Sequence, residues 1–312
     1  MHSKEDATPL TRFQVVLVIL ALACGGFGIG TGEFAIMGLL PDVAATFQVT
    51  TPQAGYVISA YAMGVVVGAP LIAIAGAKAS RRSLLLILMS VFTVGNLASA
   101  LAPDFLSFTV LRFLTGLPHG AYFGVSALVA ASLVPVQMRA QAVGYVMMGL
   151  TVATLLGTPV MAYFGQSLNW RVLFLSVGVI GAITVTLIWL YLPRDKPSEG
   201  ATVMRELVAF THPQVLLTLT LAATGFGGMF SIFSYIAGTA TEVANMPAGM
   251  VPVIMALFGV GMNVGNVVGS KLADIALMGT IGGMLIFNIV VMTLFSVTAA
   301  SPWMLCLCTF LI

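Results

Sequence analysis

The chain has 312 residues, of which 59% are hydrophobic and only 7% are charged, and its mean hydropathy is +1.08. Soluble domains carry roughly 25% charged residues, so this composition excludes a protein that covers its surface with polar side chains. In lipid, only helices or a closed barrel satisfy the backbone, and the apolar runs here have the length of about 20 residues that membrane helices need. The sequence therefore predicts an all-α polytopic membrane protein.

The basic residues predict how the chain is oriented in the membrane. Of the 12 Lys and Arg residues, Arg112 lies inside an apolar run and Arg171 alone falls on one side, which leaves ten for the other side. Because positive charge is enriched in cytoplasmic loops, this asymmetry predicts a cytoplasmic N-terminus and argues against a nucleic-acid surface. The apolar runs cover about residues 13–39, 54–76, 84–102, 105–131, 138–165, 171–192, 214–238, 251–270 and 279–299, and a tenth begins near residue 303.

The first span combines closely spaced glycines with one carboxylate. Gly26, Gly30 and Glu33 share a face, which allows another helix to approach close to the acid. At 1.5 Å per residue, Glu33 lies about 9 Å inside the outer end of its helix, and Arg112 lies about 10 Å inside the outer end of the fourth span. Their similar depth allows either an ion pair or a shared water-filled cavity.

The second span carries Gly64 and Gly68 at the spacing that favours close helix packing. The loop that follows it is strongly basic and includes Arg81 and Arg82, with no acidic residue between Asp42 and Asp104. We assign the two arginines to gating or structure in a cytoplasmic loop.

The fourth span places its polar residues on one face. Arg112, Gly116, His119 and Phe123 fall within a narrow arc of the helix. An ionisable residue inside a membrane is costly, so it indicates a functional site by default, and this face is predicted to line a polar pathway. A hydrogen-bonded interior histidine is the more frequent explanation for His119, and a proton relay is the alternative. His119 and Phe123 are candidate substrate contacts.

The fifth span contains a predicted break. Gly149 and Gly157 precede Pro159, and a proline inside a membrane helix frees a backbone carbonyl that needs another partner. A kink used only for packing is the more frequent case, and a moving gate is the alternative.

Residues 193–213 form the one long polar segment, a predicted cytoplasmic linker. It separates an N-terminal six-helix bundle, 1–192, from a partial C-terminal bundle, 214–312, that contains spans seven to nine and the start of span ten. A weak repeat supports this division, because Gly64 and Gly68 of span two correspond to Gly265 and Gly269 of span eight. Symmetric halves are common in transporters, with the site between them.

The second part adds candidate substrate contacts. Phe226 and Phe230 belong to one aromatic stripe of span seven, for which lipid exposure or packing is more frequent than ligand binding. Asn263 and Asn266 share a face of span eight, and two amides in a membrane helix should face protein or water rather than lipid. We therefore expect this face to line a cavity.

Three segments together resemble the major facilitator superfamily. They are TGEFAIMGLLPDVAATFQVT in span one, LRFLTGLPHGAYFG in span four, with Gly116 and Gly120, and GLTVATLLGTPVMAYFGQSLNWR in span five. Within that family they are similar to the drug:proton antiporter branch and its arabinose-efflux-permease-like proteins. The chain departs from the family pattern in the loop after span two, which lacks the usual aspartate. The equivalent loop in the second half has Asp274 but lacks the arginines that follow, and the family has twelve spans where this chain ends at the start of the tenth.

The resemblance implies a secondary active transporter that exports small amphipathic molecules, drugs or sugars, by alternating access in a bacterial inner membrane. Glu33 and Arg112 would couple transport to protons, and glycines, Pro159 and Asp274 would serve packing and gating. The expected partners are the bilayer, a small-molecule substrate and protons, and a monomer is expected. The alternative is a truncated, non-transporting membrane protein or a fragment.

Enzymatic and metal-binding functions have little support in the sequence. It contains no nucleophile–base spacing and no phosphate-binding loop, and Cys24, Cys306 and Cys308 all lie in predicted spans without metal-ligand spacing. We therefore expect no catalytic residues, no metal and no cofactor.

Overall fold

The computed structural model describes residues 11–76, 79–195 and 211–312. The side chains of Asn266 and Asp274 and most of the predicted linker, residues 196–210, lie outside this description. Nine described helices are long and apolar enough to cross a membrane, as predicted. They are α1 (Arg12–Phe47), α2 (Thr51–Gly76), α3 (Arg81–Ala100), α4 (Phe105–Ser132), α5 (Gln141–Ser167), α6 (Arg171–Tyr191), α7 (Pro213–Phe233), α8 (Ala248–Gly265) and α9 (Met278–Thr298), followed by the shorter apolar helix α10 (Pro302–Leu311).

Local sequence signals account for where several helices begin. The side chain of Thr11 accepts a hydrogen bond from the backbone N–H of Gln14 at the start of α1, and the Gln14 side chain bonds back to the Thr11 N–H. Asp104 caps α4 in the same way, with its Oδ1 2.8 Å from the N–H of Ser107. Such reciprocal caps satisfy donors that the first helical turn leaves free. The short connection Leu101–Asp104 makes α3 and α4 antiparallel neighbours.

Helix α1 lies at the centre of the first six spans. A Cβ added at Gly25 would overlap Tyr122 of α4, and one at Gly30 would lie 2.9 Å from the Cβ of Ala153 in α5. A Cβ at Gly28 would come within 3.0 Å of Ile180 in α6. The glycines therefore let three other helices approach α1 closely, as the close spacing of glycines in this span predicts.

Helices α2 and α4 are packed backbone against backbone. A Cβ at Gly64 would overlap the carbonyl oxygen of Phe113, and one at Gly68 would overlap that of Leu117. From the other side, a Cβ at Gly116 would overlap the carbonyl oxygen of Tyr61. Because each of these residues lacks a side chain, the two helices cross at close range and hold their facing residues at a fixed height.

Helix α5 changes its winding at the predicted break. A π-helical turn covers Ala153–Gly157, and Pro159 lies in the first turn of the α-helix that follows. Gly157 lies against α1, because a Cβ there would overlap Oγ1 of Thr31. Turns of this type release backbone carbonyls and often occur at functional sites.

The described contacts between the two parts of the chain include a set at one end of the helices and in their middle. We call the end where Arg12 begins α1 and Tyr191 ends α6 the N-side, and the end where Ala100 ends α3 and Phe105 begins α4 the far side. From the far side to the middle, α7 and α8 pack against α1 and α5 through aromatic rings and glycines. A single non-helical residue, Ala276, interrupts the backbone between α8 and α9.

Candidate functional site

Glu33 and His119 are neighbours in the interior of the first six spans. Glu33 lies near the far-side end of the regular helix in α1, and His119 lies in α4. Oε2 of Glu33 is 3.9 Å from Nδ1 of His119, and the two side chains are only 17% and 15% exposed. A carboxylate at this distance from an imidazole can share a proton with it after a small movement. The structure thus brings together two of the residues predicted from separate spans.

Tyr61 completes this cluster and was missed by sequence reasoning. Its hydroxyl is 2.9 Å from the same Nδ1 of His119, and its side chain is buried. Tyr61 lies three residues before Gly64, so it shares the face of α2 that packs on α4. The spacing between Tyr61 and Gly64 could have identified Tyr61 from the sequence, because a residue on the glycine face of α2 lies against α4.

Arg112 is buried beside this cluster, with 1% of its surface exposed. Its guanidinium carbon lies 4.2 Å from the centre of the Tyr61 ring, and Nη2 is 3.5 Å from the carbonyl oxygen of Gly32. A cation over an aromatic face is attracted by the ring quadrupole. In the part of the chain that the structure describes, no carboxylate oxygen lies within 4.0 Å of Arg112, and Glu33 has His119 as its partner instead. The ion pair that similar depth allows is therefore not formed in this conformation.

The cation at Arg112 is only partly satisfied. Among the described residues, its Nε and Nη1 have no hydrogen-bond partner, and neither do two other buried atoms of the first six spans, Oγ1 of Thr31 and Oδ1 of Asn96. Native proteins rarely leave buried donors unpaired, and such groups concentrate at functional positions. Arg112 therefore keeps two donors for interactions that this conformation does not make.

Phe123 and Gly120 continue the same face of α4. The Phe123 ring is 5.3 Å from the imidazole of His119, and a Cβ at Gly26 would lie 3.2 Å from it. Phe123 thus packs between His119 and α1, and its role as a substrate contact stays a prediction. Gly120 faces α2, where a Cβ would come within 3.1 Å of Ala69.

An aromatic cluster joins the two parts of the chain close to Glu33. Phe34 stacks on Phe230 of α7 at 5.8 Å and lies 6.0 Å from Phe258 of α8, which in turn stacks on Phe233 at 3.8 Å. Phe230 therefore packs against another aromatic ring, which is the more frequent explanation for such a stripe. Phe226 is different, since it is 61% exposed. We call Phe34, Phe230, Phe233 and Phe258 the far-side aromatic cluster.

Asn263 connects α8 to the irregular part of α5. Its Nδ2 lies 2.7 Å from the carbonyl oxygen of Gly259 and 3.4 Å from that of Thr151. A Cβ at Gly259 would lie 2.5 Å from the carbonyl oxygen of Thr154, so the two helices cross closely beside the π-helical turn. Gly149 makes the matching close contact with α1, where a Cβ would overlap the carbonyl oxygen of Ala23.

Asp195, after the end of α6, reaches the basic loop that sequence reasoning found without an acid. Its carboxylate accepts hydrogen bonds from the backbone N–H groups of Arg81 at 2.8 Å and Arg82 at 3.1 Å. The side chain of Arg82 donates to the carbonyl oxygen of Trp189. A carboxylate on a helix N-terminus is stabilised by free N–H groups and by the helix dipole. The start of α3 is thereby fixed to the end of α6.

A cleft of about 970 Å³ opens at the N-side between α1, α5 and the connection from α4 to α5. Its walls are mostly apolar, and its polar groups include Gln141, which donates to the hydroxyl of Tyr145 at 2.9 Å. Among its lining residues, Gly149 was a candidate gating or structural residue from the sequence, and Cys24 was placed in the first span without a functional role. Other lining residues are Ile19, Phe27, Leu133, Met138 and Val152.

The described contacts between the two parts of the chain run from the far side to the level of Asn263. The cleft lies nearer the N-side and is lined by residues of the first part. Glu33 and His119 lie near the far-side aromatic cluster.

This geometry agrees with the comparisons to known proteins. The sequence pattern of the Major Facilitator Superfamily matches residues 22–312. The chain belongs to this family. Among its relatives, the inner membrane transport protein YdhP of Escherichia coli strain K12 is 42% identical over 274 residues, which cover 88% of this chain and 70% of that protein. A chloramphenicol resistance protein of Streptomyces lividans is 31% identical over 262 residues, covering 83% of this chain and 67% of that protein.

The fold is shared with solved structures as well. A bacterial homologue of the human lysosomal transporter Spinster, crystallised in an inward-facing and occupied conformation, superposes with a TM-score of 0.71 at 16% identity, over 97% of this chain and 72% of that one. The predicted family and the helical fold are confirmed, and the protein is a multi-pass membrane protein. The roles predicted for individual site residues and the division into domains stay predictions.

Proposed function

We propose that this protein is a proton-coupled exporter of small amphipathic molecules that works by alternating access in the bacterial inner membrane. The observation that carries the proposal is the contact between Glu33 and His119, 3.9 Å apart inside a membrane bundle. A titratable pair in this position is costly to retain unless it takes part in moving ions or substrate. With the N-terminus in the cytoplasm, Glu33 lies on the outer side of the site, where an inward proton gradient would load it.

Alternating access is supported by the unequal contacts between the two parts of the chain. Aromatic stacking joins the two parts at the far side, whereas the cleft at the N-side is lined by residues of the first part. A transporter must also populate the reverse arrangement, in which the stacking between Phe34 and Phe230 is broken. The π-helical turn at Ala153–Gly157 lies where α5 meets both α1 and α8, so it can absorb this change.

The substrate class follows from the lining of the N-side cleft. An apolar cavity of about 970 Å³ with few polar groups suits a molecule with an apolar body and one or two hydrogen-bonding groups. Tyr145 and Gln141 provide such groups, and each is held by the other. The name of the chloramphenicol resistance relative supports outward transport of a small organic molecule.

The proposal predicts that Glu33→Gln uncouples transport from protons. The amide keeps the shape of the side chain but cannot bind and release a proton, so active transport driven by a pH gradient should fall at least tenfold while exchange of substrate persists. Proteoliposomes containing a pH-sensitive dye and a panel of drugs and sugars would measure both fluxes.

The matched control is Glu242→Gln, the same substitution at an exposed acid outside the first six spans. It should retain the wild-type rate. If Glu33→Gln still accumulates substrate against its gradient, Glu33 is not the coupling site. If the wild-type protein inserts, melts cooperatively and moves neither protons nor any molecule of the panel, the alternative of a non-transporting membrane protein is supported instead.

A further inference from the structure

We propose that Nδ1 of His119 is a two-position proton switch, held in its neutral state by the hydroxyl of Tyr61 and in its charged state by Glu33. Tyr61 is then a positioning residue for the coupling site. This inference rests on the proposed function, because it assigns the inner workings of the same site.

The geometry makes the two partners mutually exclusive. Tyr61 Oη and Glu33 Oε2 both approach the same ring nitrogen, at 2.9 Å and 3.9 Å. One imidazole nitrogen either carries a proton and donates, or is bare and accepts. At 2.9 Å the hydroxyl is in hydrogen-bond range, whereas the carboxylate is not. The present conformation therefore suits a neutral His119 that accepts the Tyr61 O–H.

The proton transfer can be written with all atoms accounted for. Glu33 binds a proton as a carboxylic acid. When the Tyr61 hydroxyl rotates away from Nδ1, the carboxyl O–H bond breaks and an N–H bond forms at Nδ1, which leaves a carboxylate next to an imidazolium. The Nδ1–H bond of the imidazolium then breaks, a water molecule on the N-side accepts that proton, and the Tyr61 hydroxyl returns to the bare Nδ1 while Nε2 keeps its proton. A carboxylate accepts from an imidazolium more strongly than a phenol does, so the charged pair draws together.

Arg112 and Gly116 hold Tyr61 in place for this exchange. The guanidinium of Arg112 lies 4.2 Å from the centre of the Tyr61 ring, so a positive charge favours negative charge developing on the phenol and strengthens the hydroxyl as a donor. Gly116 touches the Tyr61 carbonyl oxygen, which prevents α2 from sliding along α4. Arg112 thus acts on the site through Tyr61, without an ion pair to Glu33.

Few other groups compete for the imidazole. Among the described residues, the charged groups whose field acts on His119 are Glu33 from α1 and Arg112 from its own helix, and Tyr61 from α2 is its hydrogen-bond partner. Tyr122 lies nearby on α4, but its hydroxyl donates to the carbonyl oxygen of Leu22 at 2.8 Å. Tyr122 is therefore buried and hydrogen-bonded like Tyr61 without contacting Nδ1, which makes it a matched control.

The first test compares Tyr61→Phe with Tyr122→Phe in proteoliposomes. Tyr61→Phe keeps the ring under Arg112 and removes only the donor to neutral His119, so the charged imidazole should persist to higher pH. We expect the pH optimum of transport to rise by about one unit. Tyr122→Phe loses a buried hydrogen bond of similar kind and should leave the optimum in place. Identical pH profiles for wild type and Tyr61→Phe would overturn the proposal.

The second test does not depend on transport. Carbon and nitrogen NMR shifts of isotope-labelled histidine report which ring nitrogen carries the proton, and His119→Gln identifies the signal among the 3 histidines of the chain. At alkaline pH the full-length protein in nanodiscs should show His119 with a bare Nδ1, and Tyr61→Phe should show a mixture of tautomers. A wild-type His119 protonated at Nδ1 there would refute the switch. A wild type that passes this test but moves no protons would refute only the proposed function.

Discussion

The same glycine spacing produces two different kinds of packing in this molecule. In α2, Gly64 and Gly68 press against the backbone of α4. In the described part of α8 and its continuation, a Cβ built at Gly265 finds no atom within 4 Å outside its own stretch of helix, and one built at Gly269 lies 3.3 Å from the flexible side chain of Met284. Glycine spacing thus permits close approach, and the partner helix decides whether it occurs.

The difference extends to function. The tight pair of α2 and α4 holds Tyr61, Arg112 and His119 in register, and a shift of one ångström would remove the 2.9 Å contact between Tyr61 and His119. Helix α8 also crosses α5 closely at Gly259, but not at Gly265 or Gly269, the positions that correspond to Gly64 and Gly68. Close packing at the paired glycines therefore coincides with the titratable groups of the first part and is not repeated at the equivalent positions of α8.

The largest effect should come from adding one methyl group to each region. Gly64→Ala places a Cβ into the Phe113 carbonyl and should destabilise the protein by about 1–3 kcal/mol, the range for overpacking. Gly265→Ala meets open space and should be neutral or stabilising by up to about 1 kcal/mol, because alanine favours helix. Chemical denaturation in detergent would measure both. Equal destabilisation by the two changes would contradict the contrast between the regions.

A smaller effect, on transport, should follow from Arg112→Lys. The ammonium keeps the charge but loses the flat guanidinium that covers the Tyr61 ring, so we expect about a tenfold lower transport rate with folding retained. The control is Arg171→Lys, which alters a guanidinium bonded to the carbonyl oxygens of Ala100 and Ala102 at the far side. It should change transport less than about twofold. Wild-type transport in Arg112→Lys would show that charge alone is sufficient.

The smallest effect concerns how the start of α4, in the tightly packed region, responds to acid. The backbone N–H of Ser107 donates to Asp104 at the start of α4 and holds the pKa of that carboxyl below its ordinary value of 3.8. A lowered folded-state pKa contributes stability above pH 3.8, which is lost as the pH falls through the folded pKa. Asp104→Asn keeps a capping side chain but cannot titrate, so its melting temperature should fall less between pH 5 and pH 3 than that of wild type. Parallel falls in both proteins would contradict the role assigned to Asp104.

Much of the fold follows from local sequence. Nine spans, the antiparallel turn before Asp104 and the break before Pro159 were all predictable, because length, hydropathy and helix-capping chemistry act within a few residues. The polar face of α4 was predictable for the same reason, since helical periodicity alone places Arg112 and His119 together. The similar depths of Glu33 in α1 and Arg112 in α4 also indicated that Glu33 lies at the level of this face, where it is 3.9 Å from His119.

Which of these groups become partners was decided only by tertiary structure. Depth does not specify how each helix is rotated, so Glu33 meets His119, whereas Arg112 covers Tyr61. The contact between Tyr61 and His119 joins residues 58 positions apart, and that between Asp195 and Arg81 joins residues 114 positions apart. Both contacts depend on how closely the helices approach each other at their glycine positions. That distance is set by the two packed surfaces together, so it cannot be read from the residue pattern of either helix alone.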